Sequence, residues 1–459
     1  YTLSIGCSGG SYDSELLADN HPGLYNGIIV SCIFPDPTSI ATAGMDTRLL
    51  LNYFLATAPG ALTAAQQLAV AGYGEPAQIP VNAVTADRTD PIANRPAIAG
   101  LPPVYAASPT GAYWNPVVPV DLRYDPNTNP RGARPTMFDE ARNIYGVDRK
   151  TGFALRPYDN VGVQYGLAAL NAGSITPTQF LDLNQKIGGY DIDDNYIAAR
   201  TTGDTGAMRR AYEGGLIMSG AGGLSSIPVL GWNQLYTDTD PTGEYHLHYH
   251  AFEMRERIRQ ANGNADNVVL WSGGVPLGAL LTGPTAAQAT FLSTLNLQTT
   301  AAMDAWLTAI AQDTSREPQA FKVVHDKPAA ITDGCWTVDT APQFIAETQF
   351  YGGPGTSRCN TLYPAFSWPR HVAGIPLANN IFKCQLKAVD HADYKVRFSV
   401  AEKQRLQTVF AGGVCDWSRS GVEQRPVDPN ASFGPSPVNE VFNVLTGQEN
   451  TGMLAEGGK

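Results

Sequence analysis

A Gly-Cys-Ser-Gly-Gly run near the start of the chain limits the possible folds more than any other feature. The run at 6–10 follows a short stretch of β-forming residues, 1–5, and precedes a segment with helical character, 11–20. An almost continuous apolar run, 27–34, comes next, and such a run is typical of a buried parallel strand. The order strand, tight turn, helix and strand predicts a βαβ unit, and therefore an α/β fold with a mostly parallel sheet.

Ser8 stands at the centre of this run, in a Gly-x-Ser-x-Gly pattern. In a sharp turn from strand to helix, the serine takes a strained backbone conformation that exposes its hydroxyl, and the flanking glycines avoid clashes. The N–H of Gly9 can then donate to the oxyanion of a tetrahedral intermediate. We therefore predict that Ser8 is a nucleophile and that Gly9 is an oxyanion donor.

Composition and charge exclude several classes of protein. The chain has 43% hydrophobic and 16% charged residues, too apolar for a disordered protein. Its net charge of -11 repels phosphate backbones, which makes nucleic acid an unexpected partner. No stretch reaches the roughly 18–20 apolar residues that a membrane span needs. A soluble α/β protein of 459 residues, with long insertions or two domains, is the expectation.

The strand and helix pattern divides the chain into four regions. Thr176 and Gln179 form a capping box within the second region, which predicts a helix starting there. A helix with a buried apolar stripe is expected at 301–312 in the third. The predicted regions are the βαβ unit with the Ser8 turn (1–36), a Pro- and Gly-rich insertion with a helical lid over the sheet (37–220), the remainder of the sheet (221–313), and a loop-rich, cysteine-containing C-terminal region (314–459).

Six cysteines are scattered through the chain without a CxxC pair. Their even number and spacing favour disulfides over zinc or thioredoxin-like chemistry. The expected location is therefore secreted or periplasmic. The sequence does not decide how these residues pair: Cys7, Cys32, Cys335, Cys359, Cys384 and Cys415.

The run at 6–10 and the segment 21–29 resemble the nucleophile turn of the α/β-hydrolase superfamily, and more narrowly the tannase and feruloyl-esterase group. The segments 159–166, 244–271 and 384–417 resemble a related secreted bacterial family of unknown function. The resemblance implies a serine esterase that cleaves carboxylic esters, with a small-molecule or oligomeric ester as its substrate. It implies no cofactor.

The resemblance also bears on Cys7. In the tannase group, the Cys beside the serine bonds to the Cys of a His-Cys pair after the last strand, and this sequence has no such pair. If Cys7 is bridged, Cys32 is the expected partner, because adjacent parallel strands bring such positions within reach.

A serine needs a general base, and the histidine expected after Trp271 is absent, since Ser272 stands there. Three histidines follow the predicted strand at 227–230, on the sheet edge where hydrolases hold their acid and base. Among them His246 is the best candidate, because it directly follows an acidic loop and resembles an acidic-x-His position in the related family. His325 is the second candidate.

The acid that orients this base is also expected after a strand. Asp240 is the best candidate in the loop after 227–230, and Asp238 is an alternative in the same loop. Asp36, after the strand at 27–34, is a further topological possibility.

Two metal sites are conceivable alternatives. His246, His248 and His250 alternate along the chain, so an extended strand would place three imidazoles on one face for zinc, as in a metal-dependent hydrolase. A structural calcium ion has candidate oxygen ligands in Asp191, Asp193, Asp194 and Asn195.

The position of the serine turn raises a further expectation. In hydrolases of this fold the turn follows the fifth strand, whereas five residues precede Gly6 here. The upstream strands are thus expected on an N-terminal fragment of the same precursor, associated as a separate chain. A non-catalytic assembly or binding protein with a degenerate hydrolase domain is the competing interpretation.

Overall fold

A computed structural model describes residues 1–92 and 118–427, together with the short strands Phe442–Asn443 and Gln448–Glu449. Part of the predicted insertion, 93–117, and most of the chain after 427 lie outside the described residues.

A six-stranded sheet forms the centre of the molecule. Its strand order is β1-β2-β5-β6-β7-β8, in which the first five strands are parallel and β8 is antiparallel to β7. The remaining strands form two-stranded pairs. The strands are β1 (Leu3–Cys7), β2 (Gly27–Ser31), β3 (Gly189–Tyr190), β4 (Tyr196–Ile197), β5 (Val229–Trp232), β6 (Val268–Ser272), β7 (Gly334–Trp336), β8 (Phe344–Ala346), β9 (Gln385–Lys387), β10 (Val414–Asp416), β11 (Phe442–Asn443) and β12 (Gln448–Glu449). The mostly parallel sheet confirms the α/β prediction.

Helices cover both faces of this sheet and fill the connection between β2 and β5. They are α1 (Gly9–Asn20), α2 (Pro37–Asn52), α3 (Ala64–Ala71), α4 (Gln78–Val84), α5 (Met137–Glu140), α6 (Arg142–Tyr145), α7 (Leu167–Asn171), α8 (Pro177–Lys186), α9 (Thr205–Glu213), α10 (Tyr249–Asn262), α11 (Leu277–Thr282), α12 (Ala286–Gln312), α13 (Gln319–His325), α14 (Arg358–Leu362), α15 (Pro369–Val372) and α16 (Val400–Val409). Within the described residues, the other helical segments are one π-helical turn and four 3₁₀ turns: Tyr53–Thr57, Thr85–Arg88, Val120–Leu122, Gly223–Ser226 and His391–Asp393.

Side chains along a strand point alternately to the two faces of the sheet, and each face packs against its own layer of helices. Ile28 and Val30 of β2 pack on one face with α1 and α10, whereas Ile29 packs on the other face with α12. All three side chains are buried, as expected for a parallel strand covered on both sides. Each buried side chain of this size contributes about 1.5–3 kcal/mol relative to exposure, so the apolar run that predicted β2 also stabilises the three layers.

The connection between β2 and β5 has a hydrophobic core of its own, which it shares with the segment 368–415. At its centre Asp46 accepts hydrogen bonds from the hydroxyls of Tyr158 (2.7 Å) and Tyr165 (2.6 Å) and from the guanidinium of Arg370 (2.7 Å). This buried network ties α2 to the C-terminal region. Where the insertion lies relative to a substrate, and where domains begin and end, stay predictions.

Two local expectations are tested directly. The capping box of Thr176 and Gln179 is present and begins α8, which confirms that prediction. The helix expected at 301–312 is only the second half of α12, a 27-residue helix that a further capping box begins at Thr285. The sheet also continues past residue 313, because β7 and β8 add to its edge.

Four of the six cysteines form disulfides, Cys335–Cys359 and Cys384–Cys415. Both lie in the C-terminal region and support the prediction of disulfides there.

β1 lies at one edge of the sheet, and its Ile5 side chain is 63% exposed. The expected upstream fragment stays a prediction. Among the described residues, no helix combines the length and the apolar character that crossing a membrane requires.

Candidate active site

The turn between β1 and α1 holds Ser8 in an unusual backbone conformation. Its φ of 58° and ψ of -117° lie outside the regions that side chains prefer, which costs of the order of 1–3 kcal/mol. Gly6 makes the turn possible, because a Cβ at this position would lie 1.9 Å from the carbonyl oxygen of Gly10. Gly9 is the first residue of α1, where backbone N–H groups have no carbonyl acceptor within the helix.

His246 lies in the loop between β5 and α10 and faces this turn. Its Nε2 is 2.8 Å from the Oγ of Ser8. Because β1, β2 and β5 are parallel neighbours, their carboxyl ends meet at one edge of the sheet, and loops 238 residues apart in sequence come together there.

Glu244 is the carboxylate that contacts this histidine. Its two oxygens lie 2.9 and 2.8 Å from Nδ1 of His246, and one of them also accepts the backbone N–H of His246 at 2.8 Å. The side chain of Glu244 is fully buried and that of His246 is 9% exposed. An acceptor at Nδ1 favours the tautomer in which Nε2 is unprotonated and ready to accept a proton.

Helix α4, in the connection between β2 and β5, fixes the position of this carboxylate. Gln78 of α4 accepts the N–H of Glu244 at 2.9 Å through its side-chain oxygen and donates to the carbonyl of Thr237 at 2.6 Å. Thr237 in turn donates to the carbonyl of His246 at 3.1 Å. The loop that holds the acid and the base is therefore anchored by a helix from a distant part of the chain.

Aromatic rings surround the histidine. The centroids of Phe34 and Tyr245 lie 4.9 and 4.8 Å from that of His246. They restrict the access of water on that side, which strengthens electrostatic interactions at the histidine. A hydroxyl, an imidazole and a carboxylate in this order can activate the hydroxyl for attack on a carbonyl carbon.

A family model with the description "tannase-like family of unknown function", DUF6351, matches residues 1–426. The chain belongs to this family. No curated protein and no solved structure matches the chain.

In this member of the tannase-like family, the three predicted aspartates have other partners. Asp240 accepts the N–H and the hydroxyl of Thr242, at 2.9 and 2.7 Å, and so forms a turn. Asp238 accepts the backbone N–H of His248 at 2.8 Å, and burial raises its pKa to about 7. Asp36 begins α2 by accepting the N–H of Ser39. The expectation that Asp240 orients His246 is therefore corrected, because Glu244 makes that contact.

The other histidines also point elsewhere. His248 places Nε2 2.9 Å from the Oγ of Ser272 and Nδ1 3.1 Å from the carbonyl of Tyr363, and burial lowers its pKa to about 4. His250 contacts Glu253 at 2.5 Å. His325 lies at the end of α13 with its ring 65% exposed, beside Asp326.

These contacts also address the two metal alternatives. The three histidines face three different partners rather than one point. Among the proposed calcium ligands, Asp193 pairs with Arg134 and Asp194 with Arg156. Within 1–92 and 118–427, no group of three or more His, Cys, Asp or Glu side chains is placed to hold a metal ion.

A cavity of about 450 Å³ lies beside Tyr12 of α1. Tyr12, one helical turn after Ser8, forms part of its wall, and its hydroxyl would lie 3.4 Å from a Cβ at Gly9. The connection between β2 and β5 provides the rest of the wall, which is largely apolar and carries one cationic and one acidic side chain: Pro37, Arg88, Pro135, Met137, Glu140, Ala141, Tyr145 and Leu216.

Glu244 is the residue that sequence reasoning missed. The signal was present, because Glu244 stands two positions before His246 and so forms the acidic-x-His pattern that singled out that histidine. The predicted aspartates, Asp238 and Asp240, stand nearer to the end of β5 in the sequence than Glu244 does.

Proposed function

We propose that this chain is a serine esterase of the α/β-hydrolase type, which cleaves carboxylic esters through an acyl-enzyme on Ser8. One observation supports this most strongly: the continuous series of contacts from Ser8 Oγ to His246 Nε2 and from His246 Nδ1 to Glu244. Membership of the tannase-like family agrees with it. No cofactor is needed for this chemistry.

In the first half-reaction, Ser8 Oγ attacks the ester carbonyl carbon while His246 Nε2 takes the hydroxyl proton. Glu244 stabilises the imidazolium that forms, and the Gly9 N–H donates to the oxyanion. Collapse of the tetrahedral intermediate breaks the bond to the alkoxy oxygen, and His246 returns the proton to the leaving alcohol. The acyl group then remains on Ser8.

In the second half-reaction, water takes the place of the alcohol. His246 accepts a proton from the water as its oxygen attacks the acyl carbon, and the second tetrahedral intermediate releases the carboxylic acid and free Ser8. The cavity beside Tyr12 is the proposed binding site for one side of the ester, since its volume falls in the range of small-molecule sites of roughly 300–1,000 Å³.

We also propose a secreted or periplasmic location. The disulfides Cys335–Cys359 and Cys384–Cys415 support it, because such bonds persist mainly in oxidising compartments.

Labelling with a fluorophosphonate probe, followed by peptide mapping, tests the proposal. We expect covalent modification at Ser8, loss of labelling in Ser8→Ala, and hydrolysis of p-nitrophenyl esters by the unmodified chain only. Ser272→Ala is a matched control, because Ser272 also contacts a histidine but is buried, and this variant should be labelled like the parent.

Two outcomes would favour the competing functions. A folded protein that the probe does not modify would support a non-catalytic binding or assembly protein. Hydrolysis that persists in Ser8→Ala and disappears with a chelator would support a metal-dependent hydrolase.

A further inference from the structure

Two sulfur atoms lie directly beside the proposed nucleophile. Cys7 is the last residue of β1 and immediately precedes Ser8, while Cys32 immediately follows β2. The register of the parallel strands places Cys7 opposite Ser31, so Cys32 is one step further along the same edge. The Sγ atoms of Cys7 and Cys32 are 2.7 Å apart.

This distance is too short for two separate thiols. Non-bonded carbon atoms attract each other best at about 3.5–4.0 Å, and sulfur is larger than carbon. The other four cysteines are already bonded to one another, which leaves Cys7 and Cys32 as the remaining pair. We propose that Cys7 and Cys32 form a third disulfide, which holds the Ser8 turn against the end of β2 and makes Cys32 a positioning residue for the nucleophile.

The backbone around Ser8 explains why such a bond matters. Ser8 and Cys32 both have positive φ values, 58° and 49°, in residues that carry a side chain. Conformations of this kind persist only where the surroundings fix them. Between the Ser8 turn and β2, the Ser8 N–H donates to the Ser31 carbonyl at 3.1 Å. From the loop after β5, the amide of Gln234 donates to Cys7 Sγ at 3.0 Å. A covalent link at the residue before Ser8 would hold the turn more firmly than these hydrogen bonds.

The chemistry of bond formation is ordinary thiol–disulfide exchange. Two protein thiols and one small-molecule disulfide, such as glutathione disulfide, give the Cys7–Cys32 bond and two small-molecule thiols. The protein sulfurs are oxidised and the small disulfide is reduced, and both thiol protons end on the released thiols. In the reverse direction an external thiolate attacks Cys7, because this sulfur is partly exposed whereas Cys32 is buried.

The reduced state has a recognisable property. Once the bond is reduced, Cys7 is the partly exposed thiol and Cys32 the buried one, so Cys7 should react first with iodoacetamide.

The first experiment maps the bond and does not depend on any catalytic activity. The folded, oxidised full chain is alkylated with iodoacetamide, digested without reductant and analysed by mass spectrometry. We expect a linked Cys7–Cys32 peptide and no alkylated cysteine. Alkylation of Cys7 and Cys32 in this material, or a bond from either to another cysteine, would overturn the proposal.

The second experiment tests the positioning role, which rests on the proposed esterase function. In Cys7→Ala/Cys32→Ala, kcat and the rate of fluorophosphonate labelling should fall about 10- to 100-fold while KM changes less than about twofold, because small displacements of a reacting group are costly. Restoring both cysteines, or reoxidising gently reduced parent protein, should restore the rate. Cys384→Ala/Cys415→Ala is the matched control, which should lower Tm and leave kcat unchanged.

The failures of the two ideas are distinguishable. A double variant at Cys7 and Cys32 with the parent's kcat would refute the positioning role and leave the esterase function standing. A parent protein in which Ser8 never reacts would overturn the esterase function and the positioning role together, while peptide mapping still decides whether the bond exists.

Discussion

Glu244→Gln removes the negative charge beside His246 without changing the size of the side chain. In the parent protein one carboxylate serves both Nδ1 and the backbone N–H of His246, at 2.8 Å each through the same oxygen. If the amide oxygen of glutamine keeps the backbone N–H, its NH₂ group takes the place of the other carboxylate oxygen, 2.9 Å from Nδ1, where it opposes a proton on Nδ1 and favours the tautomer with the proton on Nε2. A protonated Nε2 cannot accept the proton of Ser8, so attack should be strongly slowed.

The size of the effect follows from these contacts. The wrong tautomer in a serine triad costs roughly 10⁴-fold in kcat, or about 5.4 kcal/mol at 1.36 kcal/mol per tenfold. The amide oxygen that keeps the backbone N–H also lies 2.8 Å from Nδ1 and still accepts a proton there, so part of the productive tautomer remains and the loss is smaller than this limit. We therefore expect a loss in kcat between about 10²- and 10⁴-fold for Glu244→Gln.

Steady-state hydrolysis of a p-nitrophenyl ester measures this, with circular dichroism to verify folding. Asp240→Asn is the matched control, since Asp240 only stabilises a turn through Thr242, and its kcat should stay within about twofold of the parent. If Asp240→Asn lost activity by 100-fold and Glu244→Gln did not, the assignment of the acid from the structure would be refuted and the sequence prediction restored.

Three further predictions concern the cavity, the pH dependence and the second core. Ala141→Trp fills the cavity, so it should raise KM about tenfold or more for bulky esters and leave the KM for acetate esters nearly unchanged. Equal changes of KM for both kinds of ester would place the substrate elsewhere. Burial lowers the pKa of His371 to about 4, so its contribution to stability is present above about pH 6.5 and lost as the pH falls towards 4. His371→Gln should therefore show a smaller fall in Tm than the parent over that window, and parallel Tm curves would contradict this. Arg370→Met should lower the free energy of unfolding by about 3–5 kcal/mol in urea titrations, because the buried carboxylate of Asp46 loses its cationic partner. A change below about 1 kcal/mol would show that the hydroxyls of Tyr158 and Tyr165 stabilise this carboxylate without the arginine.

Much of the fold could be predicted because its signals are local. The apolar run at 27–34 indicated a buried parallel strand, and residues 27–31 of it form β2 between two layers of helices. The capping box at Thr176 placed the start of α8 correctly. The length of α12 was underestimated, although its first half buries as many side chains as its second: Phe291, Leu295 and the polar Thr299 against Met303, Trp306 and Leu307.

In the candidate site, too, the part that depends on neighbouring residues could be predicted and the part that depends on distant residues could not. The conformation of Ser8 depends on neighbours within the same turn, chiefly Gly6, so a contiguous pattern was enough to single it out. The partner of His246 depends instead on the path of the loop after β5. That path is fixed by Gln78, which lies 166 residues away from Glu244 and carries no local signal.

The sequence by itself determined an α/β chain with a strained serine turn, because steric restrictions and hydrophobic alternation act over a few neighbouring residues. Only the tertiary structure selected Glu244 over Asp240, brought the histidine to Ser8 and set Cys7 against Cys32. Hydrogen bonds act over about 3 Å, and which groups come that close is decided by how strands and loops pack, which spacing along the chain does not specify.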